Sequence, residues 1–233
     1  MDIALTSIPQ DEALRYLGCG SGADPATRAL AEECSRLLLA AVRPKALWRE
    51  LAIQVEADCV LLPECGLTLP GEDLSRHLAG CSAAVLMAAT LGAGGDALIR
   101  RWQVEDLARG VTLDCCATAA VEEVCDLAEA EIAASLPGKH LTSRFSPGYG
   151  DLPIGLQGEL LTLLDAPRRM GLCATRDSIL TPRKSVTALL GVSDRPLAGR
   201  PAGCRSCSRR NSCSFRRGEG AGCPGAAAET ASE

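Results

Sequence analysis

A chain of 233 residues with 47% apolar content is long enough for one large domain or two small ones around a sizeable core, and its 23% charged residues are an ordinary share for a folded domain. The formal net charge of −5 argues against a general nucleic-acid binder. No stretch is long and apolar enough to span a membrane, and the N-terminus lacks the basic start and apolar run of a secretory signal, so a cytoplasmic location is expected.

Residues 9–18 read as a short helix, with Asp11 as its N-cap and Gly18 as its stop. Asp24-Pro25 opens a second helix that runs to about residue 41 and is closed by Pro44; Leu30, Cys34, Leu37, Leu38 and Ala41 recur on one face. Residues 51–56 and 59–62 have strand character, and turns are expected at 63–66 and 69–72. A short helix at 73–79 follows, then a buried strand at 83–89 and the segment Thr90-Leu-Gly-Ala-Gly-Gly-Asp96. Helices are expected over about 97–108 and 114–135, the second ended by Pro137-Gly138. A Ser/Pro/Gly loop occupies 141–153, a helix 154–164, and two strands around Thr181-Pro182 occupy 170–192. There is no internal repeat and no regular βαβ alternation, which makes the fold class α+β.

Two Phe, two Tyr and two Trp leave the core to Leu, Ala and Val. The thirteen cysteines are odd in number and follow no export signal, so they do not form a disulfide framework. Cys59, Cys81, Cys115, Cys116, Cys125 and Cys173 stand in apolar helix or strand context and read as small buried hydrophobes. Cys204, Cys207, Cys213 and Cys223 lie instead in a Cys/Arg/Gly-rich tail, expected to be partly disordered. Thiolates at that spacing suit zinc or an iron–sulfur cluster, and Arg205, Arg209, Arg210, Arg216 and Arg217 would favour the thiolate form; unligated thiols are the other reading.

One loop carries more specific chemistry, Arg144-Phe-Ser-Pro-Gly-Tyr-Gly-Asp-Leu-Pro153. Arg144 offers a planar fork of donors for a carboxylate or phosphate, and Tyr149 an aromatic face for a cation or flat ring. Pro147 stiffens the loop, while Gly148 and Gly150 permit positive φ and close approach of a ligand. These residues suit a small zwitterion, or form an ordinary surface turn. Thr90 to Asp96 is a tight strand-to-helix turn or an anion cradle; it lacks the signatures of a P-loop or a dinucleotide fingerprint. His77 and His140 have no partners at catalytic spacing and read as surface residues.

The loop resembles the Arg-x-x-Pro-Gly-Tyr motif in the activation domain of cobalamin-dependent methionine synthase. The similarity continues through Pro153, Gln157, Leu160-Leu161, Gly171, the segment Thr175 to Pro182, and Ser185-Val186-Thr187, covering residues 114–192. The first 110 residues are more similar to stand-alone activation-domain proteins, through Leu14-Arg-Tyr-Leu-Gly18 and Met87-Ala-Ala-Thr-Leu-Gly92. The resemblance implies a methionine synthase activation domain-like fold, a twisted antiparallel sheet with flanking helices. It divides the chain into an N-terminal α/β portion at 1–110, a portion binding S-adenosylmethionine (AdoMet) at 111–195, and the tail at 196–233. It further implies that Arg144 pairs with the AdoMet carboxylate, that Ser146, Gly148 and Tyr149 line the adenosine side, and that Glu122 is a second ligand, with Glu123 the competing choice. The turn at 90–96 is a second candidate wall in that reading. The family's Asp-Trp-Thr-Pro-like segment has no counterpart, which leaves the ammonium side unassigned.

The implied activity is support of reductive methylation, that is, reactivation of a corrinoid protein, as a methyltransferase component with no catalytic general base. No Asp-x-His-x-x-Gly stretch is present, so cobalamin is expected on a partner chain, a truncated methionine synthase or a corrinoid methyltransferase. A flavodoxin or ferredoxin would supply electrons. The alternative is a non-catalytic corrinoid-protein binding or regulatory module with a metal-binding cysteine tail.

Overall fold

The computed structural model describes residues 1–19 and 22–197. The four tail cysteines, Cys204, Cys207, Cys213 and Cys223, lie outside the described residues.

Helix α1 (Gln10–Tyr16) starts after Pro9, whose φ of −59° already suits the entry to a helix. Asp11 is therefore not the cap that the sequence suggested; it lies in the first turn, where its charge complements the helix dipole. Helix α2 (Pro25–Ala41) is capped by Asp24, which accepts the Thr27 N–H at 2.9 Å and so satisfies one of the unpaired donors of the first turn. Strands β1 (Lys45–Ala52), β2 (Gln54–Val55) and β3 (Cys59–Leu62) come next. A single 3-10 turn at Pro63–Cys65 follows, closed by Gly66 at φ 63°. It returns the chain as β4 (Leu67–Pro70), which pairs antiparallel with β3 from Cys59↔Pro70 to Leu62↔Leu67, so the first half of the turn expected at 69–72 is strand.

Helix α3 (Glu72–Leu78) and strand β5 (Ala83–Thr90) precede α4 (Ala93–Glu105) and α5 (Leu107–Ser135). Both long helices begin earlier than periodicity suggests, because their glycines are packing residues rather than breakers. A Cβ on Gly94 would overlap the Ala41 carbonyl oxygen, and one on Gly110 would lie 2.7 Å from the Gln103 nitrogen. After β6 (His140–Leu141) come α6 (Gln157–Leu163), α7 (Ala166–Met170), β7 (Cys173–Ala174), β8 (Leu180–Thr181) and β9 (Ser185–Ser193). The β7–β8 hairpin turns at 175–179 rather than at Thr181-Pro182. Thr175 closes it by donating its N–H to the Ile179 carbonyl at 2.8 Å and accepting the Ile179 N–H on Oγ1 at 3.1 Å.

The strands form a four-stranded sheet in the order β1-β5-β9-β6, a three-stranded sheet β2-β3-β4 and the β7-β8 ribbon. Every described register is antiparallel. The bonds Ser82 N–H to Val192 and Leu91 N–H to Lys184 flank β5 at its two ends and run it antiparallel to β9 as well. Mixed helix and antiparallel sheet agrees with the α+β reading. Residues 84–90 and 187–193 are buried without interruption, which is why these strands read as apolar runs instead of alternations. The residues form two compact units: Met1–Leu47 with Ala88–Glu129 and Gln157–Val186, and Trp48–Met87 with Ala130–Leu156 and residues 187–197.

The core is aliphatic, with Leu14, Leu38, Leu86, Met87, Leu113 and Ile132 among its fully buried members. Tyr16, Trp48, Trp102 and Phe145 are half-buried, and Tyr149 is exposed. Cys116 and Cys125 are buried as expected, and so is Cys34; Cys59, Cys81 and Cys115 are half-buried. Cys173 is exposed, contrary to expectation, because the short β7-β8 ribbon gives each strand one outward face.

Burial pushes the Cys34 thiol up to about 12 and the Cys115 thiol up to about 11. An unfolded thiol ionises near about 8.5, so above that pH the unfolded state releases protons that the folded state keeps. Stability contributed by these thiols is thus present at neutral pH and lost as pH rises through the folded values. Urea titrations should show a falling midpoint from neutral pH to about pH 10.5, a fall that Cys34→Ala and Cys115→Ala reduce.

Candidate functional site

Residues 146–149 form a type II turn. The Tyr149 N–H donates to the Ser146 carbonyl at 3.0 Å, Pro147 occupies the second position, and Gly148 at φ 91° the third. That third position requires positive φ, which explains the Pro-Gly pair physically. The Gly148 N–H then donates to Leu152 at 2.8 Å, and Leu152 N–H returns to Tyr149 at 3.1 Å, so the loop is closed on itself. Upstream, Phe145 exchanges two 2.9 Å hydrogen bonds with Leu189 of β9. Arg144 and Ser146 are half-buried, Pro147 is buried, and Tyr149 is 59% exposed with its ring edge-on to Phe145 at 6.1 Å.

Helix α3 holds both ends of this loop. Its first turn has no cap from its own neighbours; instead, the Glu72 and Asp73 N–H groups donate to the Asp151 carboxylate at 2.7 and 3.2 Å. Two glycines permit the approach. A Cβ on Gly71, at φ 136°, would lie 2.5 Å from Asp151 Oδ1, and one on Gly150 would overlap the Asp73 carboxylate. At the other end of α3, His77 Nε2 is 2.8 Å from the Ser143 carbonyl oxygen. A carbonyl only accepts, so Nε2 carries a hydrogen. The same ring lies 5.1 Å from Phe145. His77 is therefore not the plain surface residue that sequence suggested: it is half-buried and bonded to the loop. His140 is exposed, as expected.

The structure thus places Arg144, Ser146, Gly148 and Tyr149 on one braced loop in the second compact unit. Glu122 lies on α5 in the first. Tyr16 on α1 is its neighbour there, and burial together with the Glu122 charge raises the Tyr16 phenol. The Arg15 guanidinium stacks on the Tyr16 ring at 4.4 Å and bonds Glu12 at 2.6 Å. Glu123, the competing choice, has its carboxyl raised by burial and by Asp126.

The turn after β5 behaves as a tight connection. Thr90 Oγ1 accepts the Gly92 N–H at 3.1 Å, and the Asp96 carboxylate accepts the Arg183 N–H at 2.7 Å. Gly94 and Gly95 face Ala41, Val42 and Leu38 of the α2 end, so close packing accounts for the glycines.

No protein-family model matches the sequence, and no curated protein does. Among solved structures, the crystal structure of the MetH reactivation domain bound to AdoHcy matches over 82% of this chain and 69% of that one, with a TM-score of 0.55 and 15% identity. The chain has the fold of the MetH reactivation domain. The reactivation-domain fold thus extends beyond the residues 114–192 that carried the resemblance in sequence. Among the described residues of this reactivation-domain fold, no cluster of three or more His, Cys, Asp or Glu could hold a metal ion, and no helix is long and apolar enough to cross a membrane.

Proposed function

We propose that the chain binds AdoMet and supports reductive methylation of a cobalamin carried by a separate corrinoid protein. What carries this reading is the type II turn at 146–149, preceded by Arg144, in a fold shared with a reactivation domain crystallised with AdoHcy. The residues fit the ligand in chemical type. Arg144 supplies planar donors for the carboxylate, and Tyr149, 59% exposed, offers a ring face to the sulfonium. Gly148 presents main chain without a side chain, and Glu122 is assigned to the ammonium or ribose. In the reaction, one electron from a flavodoxin- or ferredoxin-type donor reduces Co(II) to Co(I). The S–CH3 bond of AdoMet then breaks, a Co–CH3 bond forms, and AdoHcy leaves. This chain contributes positioning and exclusion of water rather than proton transfer.

Calorimetric titration with AdoMet and AdoHcy tests the reading. Both should bind, and Arg144→Ala should weaken binding about a hundredfold, the loss expected for a charge-assisted carboxylate pair. Absence of binding by the wild-type chain, alone and with a corrinoid methyltransferase, would instead leave a fold retained as a non-catalytic module. If binding is seen, adding the chain, a reductant and AdoMet to a Co(II) methyltransferase should produce the methylcobalamin spectrum.

A further inference from the structure

The segment between Thr142 and Leu152, which carries the turn residues assigned to AdoMet, is tied to the sheet by the Phe145–Leu189 bridge and to α3 by two anchors. One anchor is Asp151 at the α3 N-terminus, beyond the turn. The other is His77, whose Nε2–H meets the carbonyl of Ser143, the residue immediately before Arg144, at 2.8 Å. The His77 ring continues into Phe145 at 5.1 Å and through it to Tyr149 at 6.1 Å. One imidazole thus fixes the backbone on one side of Arg144 and, through an aromatic relay, the ring of Tyr149.

We propose that His77 is a positioning residue for the AdoMet site, holding the 143–149 segment in its ligand-binding shape. This rests on the functional reading above. The physical reason is preorganisation: a loop held in shape before the ligand arrives loses less conformational freedom on binding. His77 does not touch the ligand in this account; it acts through Ser143 and Phe145.

Three variants of the full chain separate its contributions. His77→Phe keeps a ring against Phe145 but removes the donor. His77→Gln keeps a donor that reaches the Ser143 carbonyl, and His77→Asn carries the same amide one methylene short. Calorimetry with AdoHcy should show binding weakened about tenfold in His77→Phe and His77→Asn, the loss of one hydrogen bond's worth of organisation, and restored in His77→Gln. Amide exchange should accelerate at Phe145, Gly148 and Tyr149 in the two weakened variants, with β9 outside Leu189 unchanged. A role confined to stability would lower the melting temperature without altering AdoHcy affinity, and glutamine would not rescue a binding defect. Equal affinity in wild type, His77→Phe and His77→Asn overturns the inference. If His77→Phe does not fold, the Asn–Gln comparison decides alone. If the wild type binds no AdoHcy, the functional reading fails by itself; exchange at Gly148 and Tyr149 then tells whether His77 holds the loop, and unchanged rates overturn that too.

Discussion

Replacing Gly94 with alanine should lower the free energy of unfolding by about 3 kcal/mol, read as a reduced midpoint in urea at unchanged slope. The sign is the informative part. Glycine inside a helix is ordinarily worse than alanine by about 0.5–1 kcal/mol, so the same change elsewhere should stabilise. At Gly94 the added methyl would overlap a backbone oxygen, that of Ala41 at the end of α2, and backbone moves only with its helix. Gly158 in α6 is the internal control: a Cβ there meets nothing within 4 Å, and Gly158→Ala should be neutral or stabilising. A Gly94→Ala protein as stable as wild type would mean that α2 and the start of α4 are further apart than described.

Gly71→Ala should have the second-largest effect, about 2–3 kcal/mol, because it combines backbone strain with loss of a cap. The φ of 136° and ψ of 126° belong to a region that L side chains rarely adopt, and the methyl would meet Asp151 Oδ1 at 2.5 Å. Asp151→Ala removes only the cap and should cost about 1 kcal/mol. Since both changes act on one contact, the double variant should be less destabilised than the sum of the singles. Strict additivity in that cycle would show that Gly71 matters for strain alone. The same variants probe the candidate site, because Asp151 is the anchor beyond the 146–149 turn.

Much of this was readable in the residues where the signal is local. Asp24-Pro25 announced α2 because cap and first helical residue are adjacent. Pro147-Gly148 announced the turn because a type II turn needs those residue types at neighbouring positions. The uninterrupted apolar run at 83–89 announced a fully buried strand. What escaped depends on distant partners. Gly94 and Gly110 looked like breakers because the surfaces they fit belong to other segments. His77 looked idle because its acceptor lies 66 residues away, and Asp151 looked like a loop residue because the helix it caps is 79 residues back. Cys173 sat in an apolar stretch whose strand has one outward face, and two paired residues are too few for alternation to register. Glu122 and Glu123 occupy successive helical positions, and sequence alone did not separate them; Glu122 neighbours Tyr16, while burial and Asp126 raise the Glu123 carboxyl.

The aliphatic interior has a consequence for spectroscopy. None of Tyr16, Trp48, Trp102, Phe145 and Tyr149 is buried, so the chromophores sit at the water boundary while the molecule's cohesion resides in groups that neither absorb nor emit in the near ultraviolet. Emission spectra will therefore report poorly on melting of the interior. They will report well on events at the periphery, and a solute arriving beside the phenol of Tyr149 will register in light before it registers in heat.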